Sequence, residues 1–273
     1  MVGDLISKVL AGVPRAWRRA IIGKPEDPSW FATTLHNLVN RLPAPTAKAL
    51  PCHGVLEGYR MYADWTRYRG FLYGTWEPDV LEILDRQLRP GMTIFDIGAH
   101  IGFYTLICAK KVGASGHVVA FEPFPRNFSL LEENVAVNGL TQVRCVPRAV
   151  FSREADLDLQ IPDDMPDTGD ASIYRTVGTQ SIKVAAITVD NYCLENGVEP
   201  QLIKIDVEGA EFDVLQGAKD TIARLRPKML IELHHFDGDL PANPVPQLLE
   251  GWEYAILWIE TSPMTSHILA TPK

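Results

Sequence analysis

Paired cysteines are missing from this 273-residue chain. Its four, Cys52, Cys108, Cys145 and Cys193, stand far apart, with no C-x-x-C and no Cys/His spacing suited to zinc. Each sits in or beside an apolar run, the pattern of reduced thiols, which argues against a disulfide scaffold and for a reducing compartment. No run of about eighteen apolar residues occurs, so no transmembrane segment is expected. The N-terminus has no signal-peptide core with a small-residue cleavage site, so the expectation is a cytoplasmic protein. Positive charge is scarce too. Lys and Arg number 26 against 34 Asp and Glu, a net charge of −8, which suits an extended phosphate backbone poorly. No N-P-P-Y or D-P-P-Y run is present, and nucleic acid is not an expected partner. There is no internal repeat, no low-complexity tract and no G-x-G-x-x-G. What remains, 46% hydrophobic and 22% charged residues, is the composition of a globular enzyme.

Read in order, residues 1–23 form an amphipathic helical pattern. Leu5, Ile6, Val9, Leu10, Val13, Trp17, Ala20 and Ile21 recur at three- and four-residue steps, with Lys8, Arg15, Arg18 and Arg19 between them. Pro14 kinks or divides that helix. Its apolar stripe is expected to pack on the domain or on a second copy, as a homodimer arm; the rival is an anionic membrane surface. A proline-rich linker follows at 42–51. The resulting division is an arm and linker, 1–53, and a ligand-binding domain, 54–273. Residues 54–76 are rich in Tyr and Trp, suited to a small antiparallel piece and to the wall of an acceptor cleft. From there strands and helices alternate. Helix 78–88 precedes strand 93–97, helix 103–107, strand 117–121, helix 125–138 and strand 143–146. An antiparallel pair, 157–161 and 182–187, flanks a polar loop at 162–178. Thr188 caps helix 189–194, and strand 202–207, helix 211–225 and strands 228–233, 254–259 and 267–270 complete the chain. The fold class is α/β, a doubly wound, mostly parallel sheet covered on both faces.

Ligands in such sheets sit beyond the carboxyl ends of the strands. Gly91 to Gly102, GMTIFDIGAHIG, is a buried strand ending on Asp96 and turning through Gly98 and Gly102 into a helix. Gly98 leaves room for close approach to the backbone, and Gly102 allows tight helix–strand packing. An acid inside this turn repels a phosphate and draws an ammonium or sulfonium. Acids recur at the other strand ends: Glu122, Asp206 with Glu208, and Glu232 with His234. Burying several carboxylates together is costly without donors or cations, so a site explains them better than separate structural roles. Glu122, about twenty residues beyond the turn, is placed to take both ribose hydroxyls; the structural alternative is a cap for the helix after it.

The run IKIDVEGAEFDVL, 203–215, together with FDIGAHIGFYT, VVAFEPFPRNFSLLEENVAVNG, ITVDNY and TWEP, resembles the FkbM family of S-adenosylmethionine (SAM)-dependent methyltransferases, class I and Rossmann-like. The resemblance covers about 54–236. It implies SAM as cofactor, with Asp96, Gly98 and Gly102 at its methionine end and Glu122 at its ribose. Ala99 and His100 in the turn, Pro123 and Asn127 after Glu122, Ala149 and Val150 at the adenine, Asp206, and Glu77 closing the pocket complete the cofactor set. His100 stands where many members carry asparagine.

The expected reaction is in-line methyl transfer to a hydroxyl of a small metabolite, natural product or sugar, an acceptor aligned in a near-attack pose. Asp206, Glu208 and His234 are the candidates for the group that takes the acceptor's proton. The alternative is a divalent cation on Asp206, Glu208 and Glu232 that lowers the acceptor's pKa. Lys204, on the same strand face as Asp206, reads as a neutralising charge, and His53 and His235 as surface or packing residues. Rival classes are a nicotinamide-dependent oxidoreductase, disfavoured by the missing glycine fingerprint and by Asp96, and a non-catalytic SAM-binding scaffold.

Overall fold

Rings rather than a regular period organise the stretch before the first long helix. In the computed structural model, which describes residues 48–273 apart from 66, 164–170, 175–177, 236–242 and 262–263, a two-residue strand β1 (Leu50–Pro51) pairs antiparallel with β2 (Arg60–Met61). A 3-10 turn, Gly54–Leu56, lies between them. Helix α1 (Arg69–Tyr73) closes on Gly74, whose left-handed φ of 60° ends it. Phe71 packs on Tyr68 and edge-on against Trp76, at centroid separations of 5.2 and 5.4 Å. Helix α2 (Pro78–Gln87) starts with proline at its first position and Asp79 in its first turn. The chain divides into two compact units, residues 1–82 and 83–273. The amphipathic pattern at 1–23 and its homodimer role lie outside the described residues.

The second unit is built on a seven-stranded sheet of order β11-β12-β10-β9-β3-β4-β5. Its strands are β3 (Thr93–Ile97), β4 (His117–Phe121), β5 (Val143–Val146), β9 (Leu202–Ile205), β10 (Lys228–His234), β11 (Tyr254–Thr261) and β12 (Thr265–Pro272). The five from β5 to β10 are parallel; the apolar runs of β3, β4, β9 and β10 are buried on both faces, while the edge strand β5 buries only Val146. Strand β12 enters antiparallel between β10 and β11. One face is filled by Phe95, Phe121, Ile203 and Ile231 against Tyr192, Val214 and Leu215; the other carries Ala120 against Leu131. A small sheet, β6 (Ala149–Val150), β8 (Gln180–Ile187) and β7 (Asp156–Ile161), forms the expected antiparallel pair plus one parallel strand.

The helices of this unit are α3 (Phe103–Val112), α4 (Pro125–Val137), α5 (Val189–Asn196), α6 (Glu211–Gln216), α7 (Lys219–Leu225) and α8 (Pro244–Gly251). Thr188 caps α5 by accepting the Asn191 amide at 3.0 Å. Two segments differ from the sequence reading. The single helix expected at 211–225 is two, broken at Gly217, whose carbonyl accepts the Asp190 amide and whose α-carbon abuts the Phe151 carbonyl; a Cβ there would lie 2.1 Å from that oxygen. Helix α8, unforeseen, begins at Pro244, where the missing N–H costs nothing, with Asn243 accepting the Val245 amide. No helix among the described residues is long and apolar enough to cross a membrane.

Candidate active site

From β3 the chain proceeds outward through β4 and β5, then returns to β9 and β10 on the other flank, so the topological switch lies between β3 and β9. In an open α/β sheet this is where a crevice opens beyond the carboxyl ends. The acids picked out by the sequence gather here because each follows the last residue of a parallel strand, or nearly so.

The turn after β3 is held by the protein itself. The amides of Gly98 and Ala99 both donate to the Phe121 carbonyl, and Gly102 donates to Ala99. His100, at a left-handed φ of 52°, donates its amide to Glu122 Oε2 at 2.8 Å. Buried Asn134 donates its side-chain amide to the Ile101 carbonyl at 2.8 Å. Gly98 is required for a reason the sequence did not reveal: a Cβ there would sit 1.7 Å from the Asp206 carbonyl oxygen. The close approach it permits is to β9's exit, which the Asp206 amide fastens by donating to Ile97. At Gly102 the neighbour is Leu131 of α4, so the close packing there is between helices rather than the helix–strand contact expected.

Asp96 is 0% exposed. Its Oδ2 accepts the Thr105 hydroxyl at 2.6 Å; its Oδ1 lies 3.8 Å from Lys204 Nζ and has no hydrogen-bond partner. The cation that faces this acid is therefore an internal one. Burial pushes the Asp96 carboxyl up, while Lys204 and the Thr105 hydroxyl oppose that shift. Lys204 also pairs with Asp206 Oδ2 at 3.0 Å and sits over the Tyr104 ring, 4.7 Å from its centroid. It neutralises carboxylates, as expected of its place on the strand. Burial raises the Asp206 carboxyl, but Lys204 and His234 outweigh it and hold the group below the usual range.

Glu122 is buried with one amide on each oxygen, His100 on Oε2 and Phe124 on Oε1 at 2.9 Å. It thus caps the approach to α4 and ties it to the glycine turn. Burial pushes its carboxyl up to about 7 against these bonds and one from the Asn127 side chain. Pro123 follows Glu122 directly. Ala149 and Val150 bury their side chains in the core. Glu77 belongs to the first unit, at a left-handed φ of 41° beside the start of α2.

On the β10 side His234 is gripped from both ring nitrogens. Nδ1 is 2.8 Å from Glu211 Oε1, and Nε2 is 3.3 Å from Glu208 Oε2 and 3.9 Å from Glu232 Oε1. Burial alone would lower this imidazole, but the flanking carboxylates raise it to about 11. With carboxylates facing both ring nitrogens the charged form is favoured, which opposes the proton-acceptor role that an ordinary imidazole pKa suggests. Glu211 also accepts the Gly209 amide, which shapes the loop carrying Glu208 at a left-handed φ of 51°. His267, absent from the sequence reading, lies 3.3 Å from Glu232 because the antiparallel register of β10 and β12 sets them opposite each other. Of the residues expected to hold a cation, Asp206 and Glu232 lie with His234, one ligand atom of each within 4.8 Å of the others, whereas Glu208 has its carboxylate 3.3 Å from the imidazole. His235 is a packing residue, bonded through Nε2 to Ser266.

A family model described as the methyltransferase FkbM domain matches residues 96–255, more than half of the chain. Among known proteins, the chain is similar to the 31-O-demethyl-FK506 methyltransferase FkbM of Streptomyces tacrolimicus, 27% identical over 211 residues, covering 63% of this chain and 75% of that one. It is similar to the 2-O-methyltransferase NoeI of Sinorhizobium fredii, 27% identical over 214 residues, with 68% and 85% covered. A third relative is the hexuronic acid methyltransferase AglP of Haloferax volcanii, 28% identical over 160 residues, with 58% and 62% covered. The matched span starts at the acid of the glycine turn and runs through every strand-end carboxylate described above, and the chain belongs to the FkbM family of methyltransferases.

Proposed function

We propose that this chain transfers the methyl group of SAM to a hydroxyl oxygen of a small metabolite, natural product or sugar. The observation that carries the reading is the cluster at the strand ends. Five carboxylates, Asp96, Asp206, Glu208, Glu211 and Glu232, surround two cations, Lys204 and His234. The surplus negative charge favours a cationic donor over a phosphate-bearing one, through the field of the whole cluster rather than through direct contact with Asp96. The glycine turn fits such a donor: it is preformed, and after accepting the His100 and Phe124 amides and the Asn127 side chain Glu122 keeps one lone pair for a ribose hydroxyl. Two of the named relatives are described by an oxygen position, 31-O and 2-O, and the third by a hexuronic acid, which supports an oxygen acceptor.

SAM supplies an electrophilic methyl carbon, and the acceptor must lose one proton. Glu208 takes that proton, and His234 Nε2–H steadies the oxygen as charge builds on it. Glu211 holds the ring in place through Nδ1, and Asp206 with Lys204 fixes the floor of the crevice. A base within reach is worth about 10²–10⁴-fold. The test uses labelled SAM with a panel of hydroxylated acceptors. Glu208→Gln is expected to cut turnover at least about a hundredfold while SAM affinity, read by calorimetry, stays within a few-fold. Unchanged turnover overturns the assignment of the base.

One observation favours a second reading, a divalent cation on Asp206, Glu232 and His234. Such an ion would take the place of the Nε2 proton, Glu211 on Nδ1 would fix the ligating ring, and the ion would supply Lewis acidity to the acceptor hydroxyl. Loss of activity after chelation, restored by Mg²⁺ or Mn²⁺, selects this reading; activity indifferent to chelator selects the first.

A further inference from the structure

A guanidinium cannot shed its charge, so one buried without an acceptor is an unsolved electrostatic problem. The first unit contains such a group. Arg69 opens α1 and is only 6% exposed, yet neither Nε nor Nη1 has an acceptor among the described residues. Trp65, 8% exposed, likewise buries its indole N–H with no acceptor. Both donors lie about Tyr73. Trp65 meets that ring edge-on, with centroids 5.6 Å apart, and Arg69 stands one helical turn before it on α1. His53 stacks on the same ring at 5.3 Å and 18°. Among the described residues, the ionisable neighbour of Arg69 is the Tyr73 hydroxyl. Two unsatisfied donors, one charged, converging on one ring are what a missing acceptor leaves behind.

We propose that Arg69 and Trp65 form a binding site for a carboxylate-bearing small molecule, the guanidinium and the indole N–H donating to its oxygens beside the Tyr73 ring. A single buried cation balances a single carboxylate, whereas a phosphate dianion would leave surplus negative charge in a dry place. Charge-assisted bonds from a guanidinium are also the strong ones, which makes this the stabilising occupant. The site is independent of the methyl-transfer reading, since neither donor belongs to the strand-end cluster.

The experiment uses the full chain without SAM, titrated with acetate, glucuronate, glucose and inorganic phosphate by thermal shift and calorimetry. Acetate and glucuronate are expected to raise the midpoint saturably, glucose not at all. Tighter binding of glucuronate than of acetate marks a sugar acid as the source of the carboxylate; equal binding marks the carboxylate alone. Arg69→Met is expected to weaken carboxylate binding about tenfold or more and, with no ligand, to leave the protein as stable as before or more so, because an unpaired buried charge is gone. Trp65→Phe is expected to keep the fold and bind severalfold more weakly, and it carries the comparison if Arg69→Met does not fold. No saturable response to either carboxylate, a stronger response to phosphate, or an undiminished response in both variants overturns the proposal.

Discussion

Replacing His234 by glutamine removes the ring that holds Glu208 and Glu211 together. Glu211 is buried and would keep only the Gly209 amide, and Glu208 would lose the partner 3.3 Å away. Breaking a buried pair by deleting one member costs about 3–5 kcal/mol; glutamine retains one donor, so a loss near about 3 kcal/mol is expected. Urea unfolding at neutral pH measures it. The pH dependence gives a second reading of the same pair. The imidazole's folded pKa of about 11 lies above its ordinary 6.5, so its contribution is complete below about 6.5 and is lost as pH rises toward 11. One group contributes at most about 1.4 kcal/mol per pH unit, so wild-type stability is expected to fall by up to about 2.7 kcal/mol between about pH 7 and 9. His234→Gln lacks that slope. Glu211→Gln added to His234→Gln is expected to recover part of the loss, with a coupling of about 1–3 kcal/mol. A wild-type curve flat from neutral to alkaline pH, or single and double variants that simply add, refutes the charged-ring account.

Gly98→Ala is expected to abolish soluble protein, at a cost above about 4 kcal/mol, because φ is 81° and the added carbon meets the Asp206 carbonyl. Gly197→Ala, at a similar φ of 62° with nothing within 4 Å, should cost only about 1–2 kcal/mol in the same unfolding assay. Lys204→Met strands Asp96 and Asp206 beside each other, and an apparent stability loss of about 3–5 kcal/mol is expected by urea unfolding. With Glu122 raised to about 7 by burial, its full acceptor capacity appears only above that pH. SAM affinity by calorimetry should then fall about tenfold per unit on the acid side, and Glu122→Gln should bind weakly with no such dependence.

Much of the fold could be read from local pattern. The buried runs of β3, β4 and β9 are short, mostly apolar and bounded by turn residues, so their positions follow from the residues alone. The helix over 211–225 misleads because its period continues through Gly217, and only the Phe151 backbone pressing on that glycine breaks it. Proline at 244 and 246 disguised α8, although a first turn tolerates proline.

The site divides in the same way. Strand ends are local features, so Asp96, Glu122, Asp206, Glu208, Glu232 and His234 could be named from the chain order of an α/β sheet. Which of them faces solvent, which carries charge and which partners which could not, because those depend on distances across strands far apart in sequence. Tertiary packing turned Asp96 inward onto Thr105 and Lys204, set His267 opposite Glu232, and placed His234 between carboxylates that keep it protonated. Sequence determined the acids and the turn that carries them; folding determined their charges, since a pKa is set by neighbours and burial rather than by residue type.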